Sequence, residues 1–378
     1  MDAKPHLADP AGDYQTLHEF IAAARTKLAE DIWHYLIGGA ESETTVRRNR
    51  YALDAIALRP RVLRDVSSVD CSSKFLGRDM RIPVMLAPVG SLESFHPGGA
   101  ATAAMGAASF DIPIVVSSVT KPGPEETAKA AEGRRIFQLY VRGDDAFVDD
   151  YVRRAVDSGY EAFCLTVDTA AYSRRERDIA RRFVKPWRQS ATGIDFQAAL
   201  NWDNVKRFKD RHSIPLIVKG IATAEDAALA CEHGVDVVYV SNHGGRQLDH
   251  GRGAIEVLPE VVQAVAGRAS VIIDGAFCRG TDVIKAIALG AEAVAVGRLY
   301  CFGLAADGDR GVARLMEILE QEIAVSMALL GVTTMAELNR SYLHGATPVT
   351  PPHALSAFPL LDLPHDAPFS PAAPDRPD

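Results

Sequence analysis

Ser241-Asn242-His243-Gly244-Gly245-Arg246-Gln247-Leu248-Asp249 places a proton acceptor and a fixed cation three residues apart, directly after the apolar run Val235 to Val240. Histidine is the side chain most readily poised near neutral pH, and arginine grips a carboxylate through two parallel hydrogen bonds. The two glycines between them let the backbone turn sharply and approach a ligand. A base beside a carboxylate anchor suits oxidation at the carbon next to a carboxylate. A polar loop with an incidental histidine is the plainer reading, and the arginine and glycines at a strand end weigh against it.

The elements that must carry this loop are visible as eight short apolar runs: Pro83 to Ala87, Ile112 to Ser117, Ile136 to Val141, Ala162 to Val167, Ile214 to Lys219, Val235 to Ser241, Val271 to Asp274 and Ala293 to Gly297. They are rich in β-branched residues and do not alternate, as expected of parallel strands buried on both faces. Most are followed by helical periodicity, so the predicted fold is α/β, a (β/α)8 TIM barrel with an N-terminal helical extension. An open doubly wound sheet is the alternative, but no strand leads into Gly-x-Gly-x-x-Gly. Apolar residues at Leu17, Phe20, Ile21, Ala24, Leu28, Ile32 and Leu36 predict helix up to Gly38-Gly39, with Tyr35 read on spacing alone as core.

In such a barrel chemistry collects where strands end. The residues there are Pro88-Val89-Gly90, Ser117, Gln138, Tyr140, Thr166, Asp168, Lys219, His243, Arg246, Asp274-Gly275 and Gly297-Arg298, a ring dominated by hydrogen-bonding groups. A weak repeat supports it: Lys219-Gly220 leads to Asp226 and Gly234, and Asp274-Gly275 to Asp282 and Gly290. Late βα units closing on glycines and a helix start are a usual phosphate site.

The chain has 378 residues and a formal net charge of -8. That balance argues against nucleic acid or an anionic membrane held by bulk electrostatics. No apolar run of about 18 residues occurs, and Met1 to Pro10 lacks the pattern of a secretory leader. The cytoplasm is the expected compartment. Cys71, Cys164, Cys231, Cys278 and Cys301 form no close pair and no zinc spacing, so they are read as reduced thiols with no metal site.

From Tyr14 to Leu343 the sequence resembles the FMN-dependent 2-hydroxy acid oxidases and dehydrogenases. The resemblance is carried by Ser241 to Asp249, Phe137-Gln138-Leu139-Tyr140, Leu165-Thr166-Val167-Asp168-Thr169, Arg174-Arg175-Glu176, Val218-Lys219-Gly220, and Asp274-Gly275 with Arg279-Gly280-Thr281-Asp282-Val283. It implies FMN at the strand ends and oxidation of an (S)-2-hydroxy acid to the 2-oxo acid, with oxygen or another carrier as electron acceptor. His243 would be the base, whether electrons leave as hydride or through a carbanion, with Asp168 raising its basicity. Arg175 and Arg246 would bind the substrate carboxylate, helped by Tyr35 and Tyr140, and Lys219 would face flavin N1.

Flavin contacts carry over to Pro88, Val89, Gly90, Ser117, Gln138, Thr166 and Ser241. Phosphate contacts carry over to Asp274, Gly275, Ala276, Cys278, Gly297 and Arg298. Cys278 stands where the family commonly has arginine, with Arg279 or Arg298 as substitutes. Arg177, Arg181 and Arg182 are read as a solvated face. Between Pro186 and Asn201 the family's longer loop is reduced to about fifteen residues, predicting a more open lid.

Gly90 and Val119 replace bulkier residues of the small-acid oxidases, predicting a wider pocket and a bulky or aromatic substrate. Residues 1–13 are read as a disordered start, 14–343 as the FMN-binding domain, and 344–378 as a Pro-rich tail. The family further suggests a homotetramer. The alternatives are another FMN-barrel reaction, such as an isomerisation or biosynthetic oxidation, and a non-catalytic ligand-binding barrel.

Overall fold

The computed structural model describes residues 14–189 and 191–361. Three helices, Leu17–Lys27, Glu30–Ile37 and Thr44–Asp54, lead to β1 (Ile56–Leu58) and to an antiparallel ribbon of β2 (Ser73–Phe75) and β3 (Arg78–Met80). Eight parallel strands follow: β4 (Val84–Leu86), β5 (Ile114–Ser117), β6 (Arg135–Leu139), β7 (Ala162–Thr166), β8 (Leu216–Ile221), β9 (Val237–Val240), β10 (Ser270–Ile273) and β11 (Ala293–Val296). Pairing of β11 with β4 and of β9 with β10 closes them into a barrel. The eight-stranded (β/α)8 reading therefore holds.

Alternation along each strand builds two cores. Outward residues such as Leu86, Val116, Phe137, Leu165 and Val238 pack against the helices. Inward residues such as Met85, Val115, Ile136, Ala162, Ile217, Val237 and Ile272 fill the barrel, and Phe75 and Met80 of the ribbon join them from one end. Both faces are apolar, which is why the runs do not alternate in hydropathy.

Three differences from the sequence reading have local causes. The fifth strand runs two residues beyond Lys219, because a bulge lies between Lys219 and Ile221 and Gly220 takes φ 115°. A Cβ at Gly220 would also lie 2.7 Å from the Asp168 Cβ, so the position has no room for a side chain. The N-terminal helix is two helices, broken where Leu28 and Ala29 are extended, and the turn brings Tyr35 to the barrel mouth.

The third concerns the Pro-rich segment. β12 (Leu343–Gly345) pairs with β1 across the expected boundary at 343. Phe358 is fully buried, and its ring meets His18 at 5.6 Å. One large aromatic burying its surface anchors a proline-rich stretch that has no periodicity of its own. The expected disordered start, 1–13, and the rest of the tail, 362–378, lie outside the described residues.

Candidate active site

The period of two that buries apolar residues low in the barrel delivers polar ones at its top. Ser117, Gln138, Thr166, Lys219, Ser241 and Asp274 each stand two residues after an inward apolar residue: Val115, Ile136, Cys164, Ile217, Tyr239 and Ile272. They form two chains of hydrogen bonds. Ser117 Oγ donates to Gln138 Oε1 at 2.7 Å, and Gln138 Nε2 donates to Thr166 Oγ1 at 2.9 Å. Lys219 Nζ donates to Ser241 Oγ at 2.7 Å, Ser241 Oγ donates to Asp274 Oδ1 at 2.7 Å, and Asp274 Oδ2 lies 3.3 Å from Lys219 Nζ. Burial disfavours the Lys219 ammonium, but Asp274 and Asp168 outweigh it and hold its pKa above the ordinary lysine value.

His243 follows β9 in a loop where His243, Gly244 and Gly245 all have positive φ, at 57°, 63° and 76°. Its Nδ1 lies 3.1 Å from Asp168 Oδ1 and its Nε2 lies 3.3 Å from the Tyr140 hydroxyl. A carboxylate accepts only, so Nδ1 carries the proton and the Nε2 lone pair is left at the cavity. Asp168 favours the charged imidazole, as expected from sequence. Burial lowers the His243 pKa by more than the Asp168 charge raises it, with Lys219 adding to the lowering. Asp168 itself stays ionised: burial opposes this, but His243 and Lys219 hold its pKa below the usual value.

Helix Thr44–Asp54 positions this loop, and sequence reasoning missed it. Thr45 N donates to Asp249 Oδ1 at 2.8 Å, Ser42 Oγ donates to Asp249 Oδ2 at 2.7 Å, and Asn49 exchanges amide hydrogen bonds with Asn242. One turn on, Arg50 makes a two-pronged pair with buried Asp282, both bonds 2.8 Å, and donates to the Ala276 carbonyl at 3.2 Å. Asp282 also accepts from the backbone of Cys278 and Arg279. This clamps the Asp274–Cys278 turn, in which Gly275 and Ala276 have φ 119° and 65°. The repeat noted in the sequence is structural: Gly220 matches Gly275 with φ 115° and 119°, and Asp226 and Asp282 are third in their helices. No motif flags Arg50, because its partner lies over two hundred residues away.

The other side of the cavity is built from loops. Arg246 Nη1 donates to the Tyr35 and Gly38 carbonyls, both at 2.8 Å. Arg175 Nε donates to Ser173 Oγ at 3.3 Å and to the Arg246 carbonyl at 3.2 Å, and its Nη2 donates to Gln247 Oε1 at 3.3 Å. Among the described residues Arg175 Nη1 and Arg246 Nη2 make no hydrogen bond, and both residues line the cavity. Tyr35 donates to the Gly90 carbonyl at 3.2 Å, and burial pushes its hydroxyl up to about 12.

The short 186–201 segment is less open than expected. Trp187, Arg188 and Ile194 line the cavity, and buried Gln197 ties the segment to Val141 N and the Thr166 carbonyl, both at 2.8 Å. The space at Gly90 is not empty either, for a Cβ there would meet Val119 Cγ2 at 2.9 Å. Ala354 of the Pro-rich segment also reaches the cavity. Arg177, expected on a solvated face, pairs two-pronged with Glu43 and so ties two segments of the mouth together.

Fifteen of the residues singled out from sequence line one cavity: Tyr35, Pro88, Val89, Gly90, Tyr140, Arg175, Lys219, His243, Arg246, Asp274, Gly275, Ala276, Cys278, Gly297 and Arg298. Ser117, Gln138, Thr166, Asp168 and Ser241 stand behind it, held to one another or to the lining. Arg279 is engaged by Glu322, which leaves Arg298 beside Cys278 at the cavity. Arg298 donates to the Leu36, Gly244 and Gly38 carbonyls. No group of three or more metal-ligating side chains occurs among the described residues, and no helix there is long and apolar enough to cross a membrane.

Residues 24–345 match the model of the FMN-dependent dehydrogenase family. The chain is 39% identical over 355 residues to glycolate oxidase 1 of Oryza sativa subsp. indica, covering 88% of this chain and 96% of that one. It is 41% identical over 346 residues to a peroxisomal (S)-2-hydroxy-acid oxidase of Oryza sativa subsp. japonica, covering 86% and 94%. A solved structure of mandelate oxidase with (S)-2-phenylpropionate superposes with a TM-score of 0.82 at 38% identity, covering 89% of this chain and 99% of that one. The chain belongs to the FMN-dependent dehydrogenase family, among the 2-hydroxy acid oxidases and dehydrogenases. FMN is its cofactor, and the cavity fits it. A cation stands on the floor at Lys219, a turn of two positive-φ residues closes one end beside Arg298, and apolar walls at Ala87, Val89 and Leu299 lie between.

Proposed function

We propose that this site oxidises an (S)-2-hydroxy acid with a side chain larger than methyl to the 2-oxo acid. The observation that carries the reading is the Asp168–His243–Tyr140 chain, opening onto the same cavity as Arg175 and Arg246. Pro88, Val89, Gly90, Ser117, Gln138, Thr166, Lys219 and Ser241 would hold the ring system of FMN. Asp274, Gly275, Ala276, Cys278, Gly297 and Arg298 would hold its phosphate. When bound, FMN takes up the two electrons of the oxidation.

The protein's own part is binding and proton handling. Arg175 and Arg246 seat the carboxylate with donors not used internally, fixing the 2-hydroxyl and C2 toward Nε2 of His243. Neutral His243 accepts one proton of the substrate at Nε2, and the imidazolium so formed is held through Nδ1 by Oδ1 of Asp168, whose Oδ2 has no hydrogen-bond partner. Buried Tyr140 keeps its proton, because desolvation and then the Asp168 charge push its pKa far up, so it donates to the substrate as a neutral hydroxyl. Lys219 presents a permanent charge on the floor, where preorganised electrostatics act most strongly.

The aromatic walls Tyr35, Phe95, Tyr172 and Trp187 support the larger side chain. We propose the cytoplasm as compartment, supported by five free cysteines, and carry the homotetramer from the family resemblance. Anaerobic mixing of the purified flavoprotein with glycolate, lactate, mandelate and long-chain 2-hydroxy acids tests the reading. Bleaching of the flavin, fastest relative to Kd with the larger acids, is expected. Preference for glycolate or lactate would refute the larger side chain, and no bleaching by any would refute the reaction.

A further inference from the structure

The proposed reaction uses Arg175, Arg246, Lys219 and Arg298, and leaves three cations of the same cavity without a role: Lys185, Arg142 and Arg188. Lys185 is only 3% exposed. Its ammonium donates to the Tyr172 hydroxyl, lies 4.5 Å from the Tyr35 ring centroid and has Asp178 at 3.7 Å. Arg188 stacks on Tyr172 at 3.7 Å and Arg142 on Trp187 at 5.2 Å, and among the described residues neither pairs with a carboxylate. The acidic side chain lining the cavity is Asp274, already taken by Lys219. An apolar side chain filling this end would complete the desolvation of Lys185 and add no countercharge, which is costly.

We infer, building on the proposed 2-hydroxy acid reaction, that the substrate's side chain ends in a second anionic group of carboxylate size, seated by Lys185 with Arg142 and Arg188. The aromatic faces of Tyr35, Tyr172 and Trp187 flank the stem that joins the two acidic ends. The electrostatics agree: burial, and then the charges of Arg175 and Arg246, press Lys185 well below the ordinary lysine value, and Asp178 does not offset them. An anion at this end supplies the missing countercharge.

The test compares a dianion with a monoanion of matched shape. (S)-2-Hydroxyglutarate and (S)-2-hydroxy-5-methylhexanoate are mixed anaerobically with the oxidised holoenzyme, and the corresponding 2-oxo acids are titrated by calorimetry. The dianion is expected to lead by about tenfold or more in both readouts, the range of a charge-assisted hydrogen bond. Lys185→Met is expected to remove most of that lead, and Lys185→Arg to keep part of it, with flavin absorbance reporting that each variant is folded and loaded. Equal or better performance of the monoanion overturns the inference while the proposed reaction stands. A dianion lead undiminished in Lys185→Met overturns the assignment of its seat. Bleaching by neither of these two acids overturns the inference, and it overturns the reaction as well only where glycolate, lactate, mandelate and the long-chain acids also fail to bleach.

Discussion

Lys219 and Lys185 are equally buried, each 3% exposed, in the lining of one cavity. Burial disfavours the ammonium of both. At Lys219 two carboxylates outweigh it and the charge is held above its ordinary pKa, whereas at Lys185 three arginines, Arg175, Arg246 and Arg188, reinforce burial against a single aspartate. The strand-built floor, with Lys219, Asp274, Asp168 and His243, thus counters its cation from within and has a charge to spare for an imidazolium. The loop-built wall, with Arg175, Lys185 and Arg246, carries surplus positive charge. A set countered from within is preorganised for chemistry, and a surplus waits for a ligand.

Removing the base breaks the floor most completely. His243→Ala is expected to slow anaerobic flavin reduction by about 10²- to 10⁴-fold while flavin absorbance shows FMN still bound. A wild-type rate would remove His243 from the base role.

The clamp beneath the floor comes next. Arg50→Ala leaves Asp282 buried without its partner, which should cost about 3 to 5 kcal/mol of stability and weaken FMN retention at the Asp274–Cys278 turn. Thermal unfolding and flavin release on dilution measure both, and an unchanged Tm would show that the pair is not holding the turn.

The wall should respond more mildly. Arg246→Lys and Arg175→Lys keep the charge but lose the fork, so substrate Kd and reduction rate together should worsen by about tenfold to a hundredfold. Wild-type behaviour in both variants would place the carboxylate elsewhere.

The contrast between floor and wall also governs what the sequence revealed. Strand runs and their polar ends are local signals, since a period of two fixes both the barrel and the residues at its mouth. All eight strands and the lining residues at their ends were legible for that reason, whereas Tyr35, Arg175, Ala276 and Cys278 were reached only through the family resemblance. Lys185 was not, because it follows a charged loop with no periodicity, and its burial depends on Tyr35 and Tyr172 folding over it. Arg50 and Asn49 were silent because their partners are distant in sequence. The lowered pKa of His243 was hidden because a spacing shows the neighbouring Asp168 but not the depth of burial. The two βα units of the repeat show the same limit: both carry an aspartate at the third helical position, and only Asp282 meets an arginine from another part of the chain.

The opposition of burial and charge at His243 is read most directly from the pH dependence of flavin reduction over Kd in the wild type and in Asp168→Asn. His243 must be neutral to accept a proton, and its pKa is held below the ordinary histidine value because burial exceeds the pull of Asp168. The wild-type profile should therefore be flat at neutral pH and fall only on the acid side of the ordinary histidine value. Asp168→Asn removes the one charge that favours the imidazolium, so the acid limb should move to still lower pH while the plateau rate falls about tenfold or more. A wild-type limb above the ordinary histidine value, or a limb that stays in place or rises in Asp168→Asn, would contradict the account.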